Sequence, residues 1–252
     1  NRLSGFFVGL LAAIFMAVVP FNIYYSRVIL PEPLVITSLL GSYWCLLQMT
    51  ERNGYKKRLH LVFSAILLAV SILTKPYAVF FALPHAAILI RSWAQKDLRF
   101  IDLLCYGLIS IVPFGLWRRH IALYPAGIPA SDWLFNKDNI RFRPAWFRWL
   151  FGERLGKLIL GTYGTVFLML GIVAKPRKEG IVYWLWGLGI LLYFSVIAGG
   201  NVQHDYYQAI IMPFICFLLA KGFELMVSLS RTVYSRLLTL VMAASAFIFM
   251  IS

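Results

Sequence analysis

The stretch YYSRVILPEP, residues 24–33, sets Arg27 and Glu32 between two long apolar runs, with Glu32 bracketed by Pro31 and Pro33. A carboxylate can take a proton from a hydroxyl or orient it, and a guanidinium can hold a phosphate through charge-assisted hydrogen bonds. Similar residues recur at the ends of other apolar runs. Lys75 sits in TKPY, Arg118, Arg119 and His120 follow PFGLW, and Asn201, His204, Asp205, Tyr206 and Tyr207 lie in NVQHDYYQ. Ionisable groups at membrane depth are costly and turn toward a cavity or a partner. Gathered at one face, these would make a net-positive polar bowl suited to an anionic lipid headgroup. Glu32 with no second acid nearby is a poor divalent-cation site, so no bound metal and no cofactor are expected.

Each residue also has a plainer reading. Arg27 and Glu32 can form a local salt bridge, Lys75 can anchor a helix end at the interface, and His204 can cap or pack a helix. His60 and His120 suit interfaces, and His85 suits packing inside a span. Cys45, Cys105 and Cys216 all fall in apolar runs without metal-ligand spacing, which makes them small packing residues rather than a disulfide or metal set.

The elements that must position these residues are membrane helices. The chain has 252 residues, 61% of them hydrophobic and 13% charged, with mean hydropathy +0.77, far from the balance of a soluble domain. Charge-free runs recur along its length without the alternation of barrel strands, so the expected class is an all-α polytopic membrane protein. A net charge of +14 would suggest nucleic acid in a soluble protein. Here about half of the excess is explained by basic loops held in the cytoplasm, and no nucleic-acid partner is expected.

About nine spans are expected: 3–22, 34–50, two arms within 59–90, 101–117, 158–174, 181–197, 206–220 and 237–251. As one helix, 59–90 would measure about 48 Å at 1.5 Å per residue, against a core of roughly 30 Å, so Lys75-Pro76 is the tip of a hairpin. That split puts ERNGYKKR (51–58), RSWAQKDLR (91–99), KPRKEG (175–180) and 221–236 on one side, the cytoplasmic one by their charge. The other face then carries the bowl residues and a loop over 118–157, with Arg118, Arg119, Lys137, Arg141, Arg143, Arg148, Arg154 and Lys157 against Asp132, Asp138 and Glu153. Within it, PAWFRWLFGERLGK (144–157) is expected to be an amphipathic interfacial helix, aromatics inward and arginines toward headgroups, which also suits bulk anionic lipid.

No phosphate-loop, zinc-protease or nucleophile-elbow motif occurs, and no internal repeat is visible. Three segments in order carry a resemblance. YYSRVILPEPLVITSLLGSYWCLL, SILTKPYAVFFALP and HDYYQAIIMPFICFLLAKGFE resemble motifs of the C-type-fold lipid-linked-sugar glycosyltransferases. The nearest group holds the protein O-mannosyltransferases and the lipid A aminoarabinose transferases. The resemblance implies one transmembrane domain over 1–252 that moves a sugar from a polyprenyl-phosphate donor to a glycan, lipid or protein acceptor at the extracytoplasmic face of the cell membrane. It places Glu32 and Arg27 in the catalytic region, near the acceptor and donor headgroups, and Lys75 and His204 toward the lipid phosphate; Arg118, Arg119, Tyr206 and Tyr207 are expected at the substrates as members of the bowl.

By the same resemblance the family's base lies on a loop ahead of the third family helix, where this sequence begins. The chain is therefore expected to be an internal piece, inactive alone, with Asp205 orienting His204. A transporter or lipid flippase is the rival reading, and a non-catalytic scaffold of an envelope complex a third. A transporter would show charges or broken helices at the midplane and a pseudo-repeat, whereas here the charges cluster at span ends.

Overall fold

The computed structural model describes residues 5–127, 132–174, 180–230 and 232–251. Within them the chain is helical, with no strand. The helices are α1 (Phe6–Val18), α2 (Pro20–Ser26), α3 (Glu32–Met49), α4 (Gly54–Thr74), α5 (Leu83–Ala94), α6 (Phe100–Ile121), α7 (Pro144–Phe147), α8 (Gly164–Val173), α9 (Gly180–Val196), α10 (Ala198–Gln203), α11 (Met212–Leu229) and α12 (Val233–Ile251). Two 3-10 stretches, Pro76–Ala82 and Asp205–Ile211, lead into α5 and α11, and α7 runs on as a wide helix over Arg148–Ile159.

A helix occupies each of the nine expected places, but fewer have crossing length. Among the described residues four spans are long and apolar enough, Gly54–Thr74, Pro76–Ala94, Phe100–Ile121 and Asp205–Leu229, or six if two sharply bent pairs each count as one. Breaks and short apolar helices such as Gly180–Val196 account for the difference. The multi-pass reading stands. The apolar face that α6 leaves exposed, with Ile101, Leu104, Leu108, Ile111 and Leu116, is what a lipid-facing helix presents. Cys105 also lies on the exposed side, unlike buried Cys45 and Cys216. The cytoplasmic loop expected at KPRKEG falls, for 175–179, outside the described residues.

Proline sets the breaks. Pro20 follows an extended Val19 and bends α1 against α2 by 57°. Its missing N–H would have reached the Met16 carbonyl. The Asn22 side-chain amide donates to that oxygen instead, at 2.9 Å, so the freed carbonyl stays paired inside an apolar setting. At the hairpin tip, α4 ends on an extended Lys75 and Pro76 opens the 3-10 stretch. The split expected there is present, with separate spans on either side.

The chain divides into two compact units whose segments alternate in sequence. The first comprises 1–30, 136–180 and 198–252, and the second 31–135 and 181–197. In the first unit, α8 and α11 approach so closely that a Cβ on Gly171 would meet the Leu218 carbonyl, and one on Gly222 the Phe167 carbonyl. Small residues that admit a neighbouring backbone are how membrane helices gain packing contacts. In the second unit, α3 and α4 lie antiparallel and are joined by serine hydroxyls. Ser42 Oγ donates to the Ser64 carbonyl at 2.7 Å, Ser64 Oγ to the Ser42 carbonyl at 2.8 Å, and Ser71 Oγ to the Val35 carbonyl at 3.2 Å.

Candidate functional site

The residues expected to line a bowl fall in both units, and each group is described within its own.

In the second unit, Glu32 opens α3 between two prolines. Pro33 fits the first helical turn, where its missing N–H costs nothing, and the carboxylate sits at the helix end that favours negative charge. The side chain does not line open solvent as expected, because only 1% of it is exposed. Lys75 Nζ, 20% exposed, stands 3.2 Å from Glu32 Oε1, and the Tyr77 hydroxyl donates to the same oxygen at 3.3 Å. The Lys75 ammonium also lies 5.8 Å from the centre of the Tyr77 ring. Glu32 Oε2 is buried without a hydrogen-bond partner. Buried Tyr193, from α9, packs on Tyr77 with ring centres 5.0 Å apart.

Arg118, Arg119 and His120 do not follow α6 but form its last turn, where cations complement the helix dipole. Helix α6 runs parallel to α4: Tyr106 meets Ser64, and Ser110 meets Ala65. Its basic last turn therefore lies at the same end of this unit as Lys75. His120 sits beside Trp117 and Tyr124, with ring centres 5.8 and 5.5 Å away. His60 Nδ1 donates to the Lys56 carbonyl, 2.7 Å away in the first turns of α4.

In the first unit, Arg27 is exposed at the C-terminal end of α2. His204 is extended and precedes the 3-10 stretch, with its ring 5.2 Å from Tyr206 and 5.7 Å from Tyr207. Asp205, expected to orient His204, is instead held in an ion pair by Arg154. Arg154 also donates to the Val202 carbonyl at 3.1 Å and lies 5.3 Å from the centre of the Trp149 ring, while its Nε is buried without a partner. Tyr25 stands within electrostatic reach of Asp205, Arg154 and Tyr206. A helix forms over 144–159, where one is expected, but of its aromatics only Trp146 turns fully inward. Phe147, Trp149 and Phe151 stay exposed beside Arg148, because Trp146, Leu150 and Ile159 fill the buried side.

Sequence reasoning missed Tyr77, Tyr25 and Arg154 as members of these groups. Tyr77 had a signal, since a break at Lys75-Pro76 must aim the next side chains at the helix end. Arg154 had none, lying among seven other basic residues of its loop. Among the described residues no three His, Cys, Asp or Glu side chains gather.

Residues 2–117 match a family model described as dolichyl-phosphate-mannose-protein mannosyltransferase. No curated protein and no solved structure matches the chain.

Proposed function

We propose that the chain, whose residues 2–117 match the dolichyl-phosphate-mannose-protein mannosyltransferase family model, is part of an enzyme that transfers a sugar from a polyprenyl-phosphate donor to an acceptor hydroxyl at the extracytoplasmic face of the cell membrane. The observation that carries the reading is the buried Glu32–Lys75–Tyr77 group, which lies inside the matched segment. Such a transfer needs an acceptor hydroxyl oriented and relieved of its proton, and a departing phosphate stabilised as charge develops on it.

Glu32 offers Oε2 as an acceptor for a substrate hydroxyl while Lys75 and Tyr77 hold Oε1. Lys75 and the basic last turn of α6, with Arg118 and Arg119, supply positive charge at that end of their unit for phosphate. Within the other unit, Arg27, His204, Tyr206 and Tyr207 are the proposed substrate-binding donors. Arg27 is exposed at the surface of its unit, and the rings of Tyr206 and buried Tyr207 lie beside the His204 imidazole. The acceptor is a hydroxyl-bearing protein, lipid or glycan.

The chain alone is expected to be inactive, so the test is sugar transfer from radiolabelled polyprenyl-phosphate mannose by the membrane-reconstituted full-length protein that contains it. Arg27→Ala should lower kcat/KM by roughly 10- to 100-fold, the effect of one charge-assisted hydrogen bond. Wild-type turnover by Arg27→Ala, Lys75→Ala and His204→Ala alike would refute the site. For the face, cysteine labelling from outside should reach position 137 and not 96, and the reverse would invert the orientation.

A further inference from the structure

The interior of the second unit holds a polar group that the proposed reaction does not use. Ser42 on α3 and Ser64 on α4 are fully buried, each placing its hydroxyl proton on the other's carbonyl, with their two oxygens 3.1 Å apart. Each oxygen keeps lone pairs for a further donor. His85 Nε2 lies 3.0 Å from Ser42 Oγ, and the Tyr106 hydroxyl 3.0 Å from Ser64 Oγ, so α5 and α6 brace the two serines from their sides. Four helices thus meet at one buried hydroxyl pair, where water cannot replace a lost partner.

The spacing gives this group a consequence at a distance. Val35 faces Ser71, and Ser42 faces Ser64. Seven residues along α3 thus correspond to seven residues back along α4, two turns on each helix. Continued to the end of the helices, the same register sets Glu32 opposite Thr74, next to Lys75, with which the ion pair is found. A hydrophobic seam alone would specify this weakly, because lipid tails are as apolar as the leucines between the helices. A slip of one helical turn, about 5.4 Å, would separate the carboxylate from its ammonium.

The geometry points to Ser42 and Ser64 as positioning residues, a buried clasp that fixes the register of α3 against α4 and so holds Glu32 on Lys75 from about 15 Å away. His85 and Tyr106 keep the clasp in place by occupying its remaining lone pairs. The inference rests on the proposed transferase reading only for its effect on turnover, since the register itself can be read without any reaction.

The register is measured by disulfide cross-linking in membranes, in protein whose Cys45, Cys105 and Cys216 are replaced by alanine. Val35→Cys is paired in turn with Leu68→Cys, Ser71→Cys and Lys75→Cys. With the clasp intact, the pair at position 71 should cross-link most. In Ser42→Ala/Ser64→Ala protein its yield should fall by at least several-fold, with cross-links appearing at position 68 or 75. Ser110→Ala, which removes a bond from α6 to α4 but none to α3, should leave the pattern unchanged. An unaltered pattern in the double variant overturns the clasp, and so does an equal loss of register in Ser110→Ala.

In the transfer assay the double variant should lose roughly five- to tenfold in kcat with donor KM within about twofold, the effect of two ordinary interhelical hydrogen bonds. Ser42→Thr, which keeps a hydroxyl, should recover most of the rate. A slipped register with undiminished kcat would overturn the link between clasp and site. Absence of transfer from parent and variants alike, with the register still dependent on the serines, would instead refute the transferase reading and leave the clasp standing.

Discussion

The segments Lys75–Pro84 and His204–Pro213 belong to different units and share little sequence, yet they solve one backbone problem in the same way. Each begins with an extended residue, Lys75 or His204, continues through a seven-residue 3-10 stretch, and enters an α-helix with proline at its second position. A tyrosine stands third in each, Tyr77 and Tyr206. The sources of charge are reversed. In the first segment the cation is its own Lys75 and the acid comes from α3. In the second the acid is its own Asp205 and the cation, Arg154, comes from the wide helix after α7. A common backbone device thus presents a polar group at a helix mouth without fixing which sign of charge it carries.

The two ion pairs differ most in burial, and that difference predicts the largest effect. Glu32 is 1% exposed and Lys75 20%, while Asp205 is 36% exposed. Lys75→Ala leaves a buried carboxylate without its counter-charge and should cost about 3–5 kcal/mol, read as loss of thermal stability in detergent. Glu32→Gln in the same background should return part of it by removing the orphaned charge. Asp205→Ala should cost roughly 1 kcal/mol, since its carboxylate sits partly in solvent and Arg154 keeps the Val202 carbonyl. The reverse order of the two alanine variants would break the comparison.

How the helices are held together also separates the units. Backbone contact at Gly171 and Gly222 joins α8 to α11, whereas hydroxyl exchange at Ser42 and Ser64 joins α3 to α4. Glycine packing fails by overcrowding, so Gly222→Val should cost about 1–3 kcal/mol by forcing α11 off α8. Gly107→Ala in α6, where an added Cβ meets nothing within 4 Å, should instead be neutral or gain up to about 1 kcal/mol from helix propensity. Thermal unfolding of the two variants side by side decides this. Equal losses at both positions would remove the case for a close crossing.

These contrasts mark where the sequence was legible. The all-helical membrane class followed from charge-free runs, and the break at Lys75-Pro76 followed from the reach of one helix and the missing proline N–H. Partners across helices did not follow. Nothing in YYSRVILPEP says that Glu32 turns into the interior toward Lys75, because that depends on the register of α3 on α4, set by serines that read as unremarkable polar residues in apolar runs. Asp205 was assigned to its neighbour His204 by adjacency, but a 3-10 stretch starting at Asp205 sends its carboxylate to Arg154. The backbone echo between the two segments was hidden for a related reason. It lives in dihedral angles and in the spacing of one tyrosine and one proline, too few residues to register as a repeat.

The smallest effect is expected at pairs that look alike on paper. Lys157 Nζ lies 3.0 Å from both carboxylate oxygens of Glu153, one helical turn apart in the first unit, with the lysine 65% exposed. Arg99 Nε lies 3.4 Å from Asp102 in the second unit, with the arginine 68% exposed. As charge pairs, both compete with solvent and salt, and each is worth about 0.5 kcal/mol or less. They differ in what else the acid does. Asp102 also accepts the Arg99 backbone N–H at 2.8 Å, pairing a donor at the start of α6 that no helical carbonyl can reach. Lys157→Ala should therefore leave thermal stability within about 0.5 kcal/mol of the parent at any salt concentration. Asp102→Ala should cost roughly 1 kcal/mol, and most of that loss should persist in high salt because a cap to a backbone amide is local rather than screened. A larger loss from Lys157→Ala than from Asp102→Ala would mean that the exposed pair, not the cap, carries the energy.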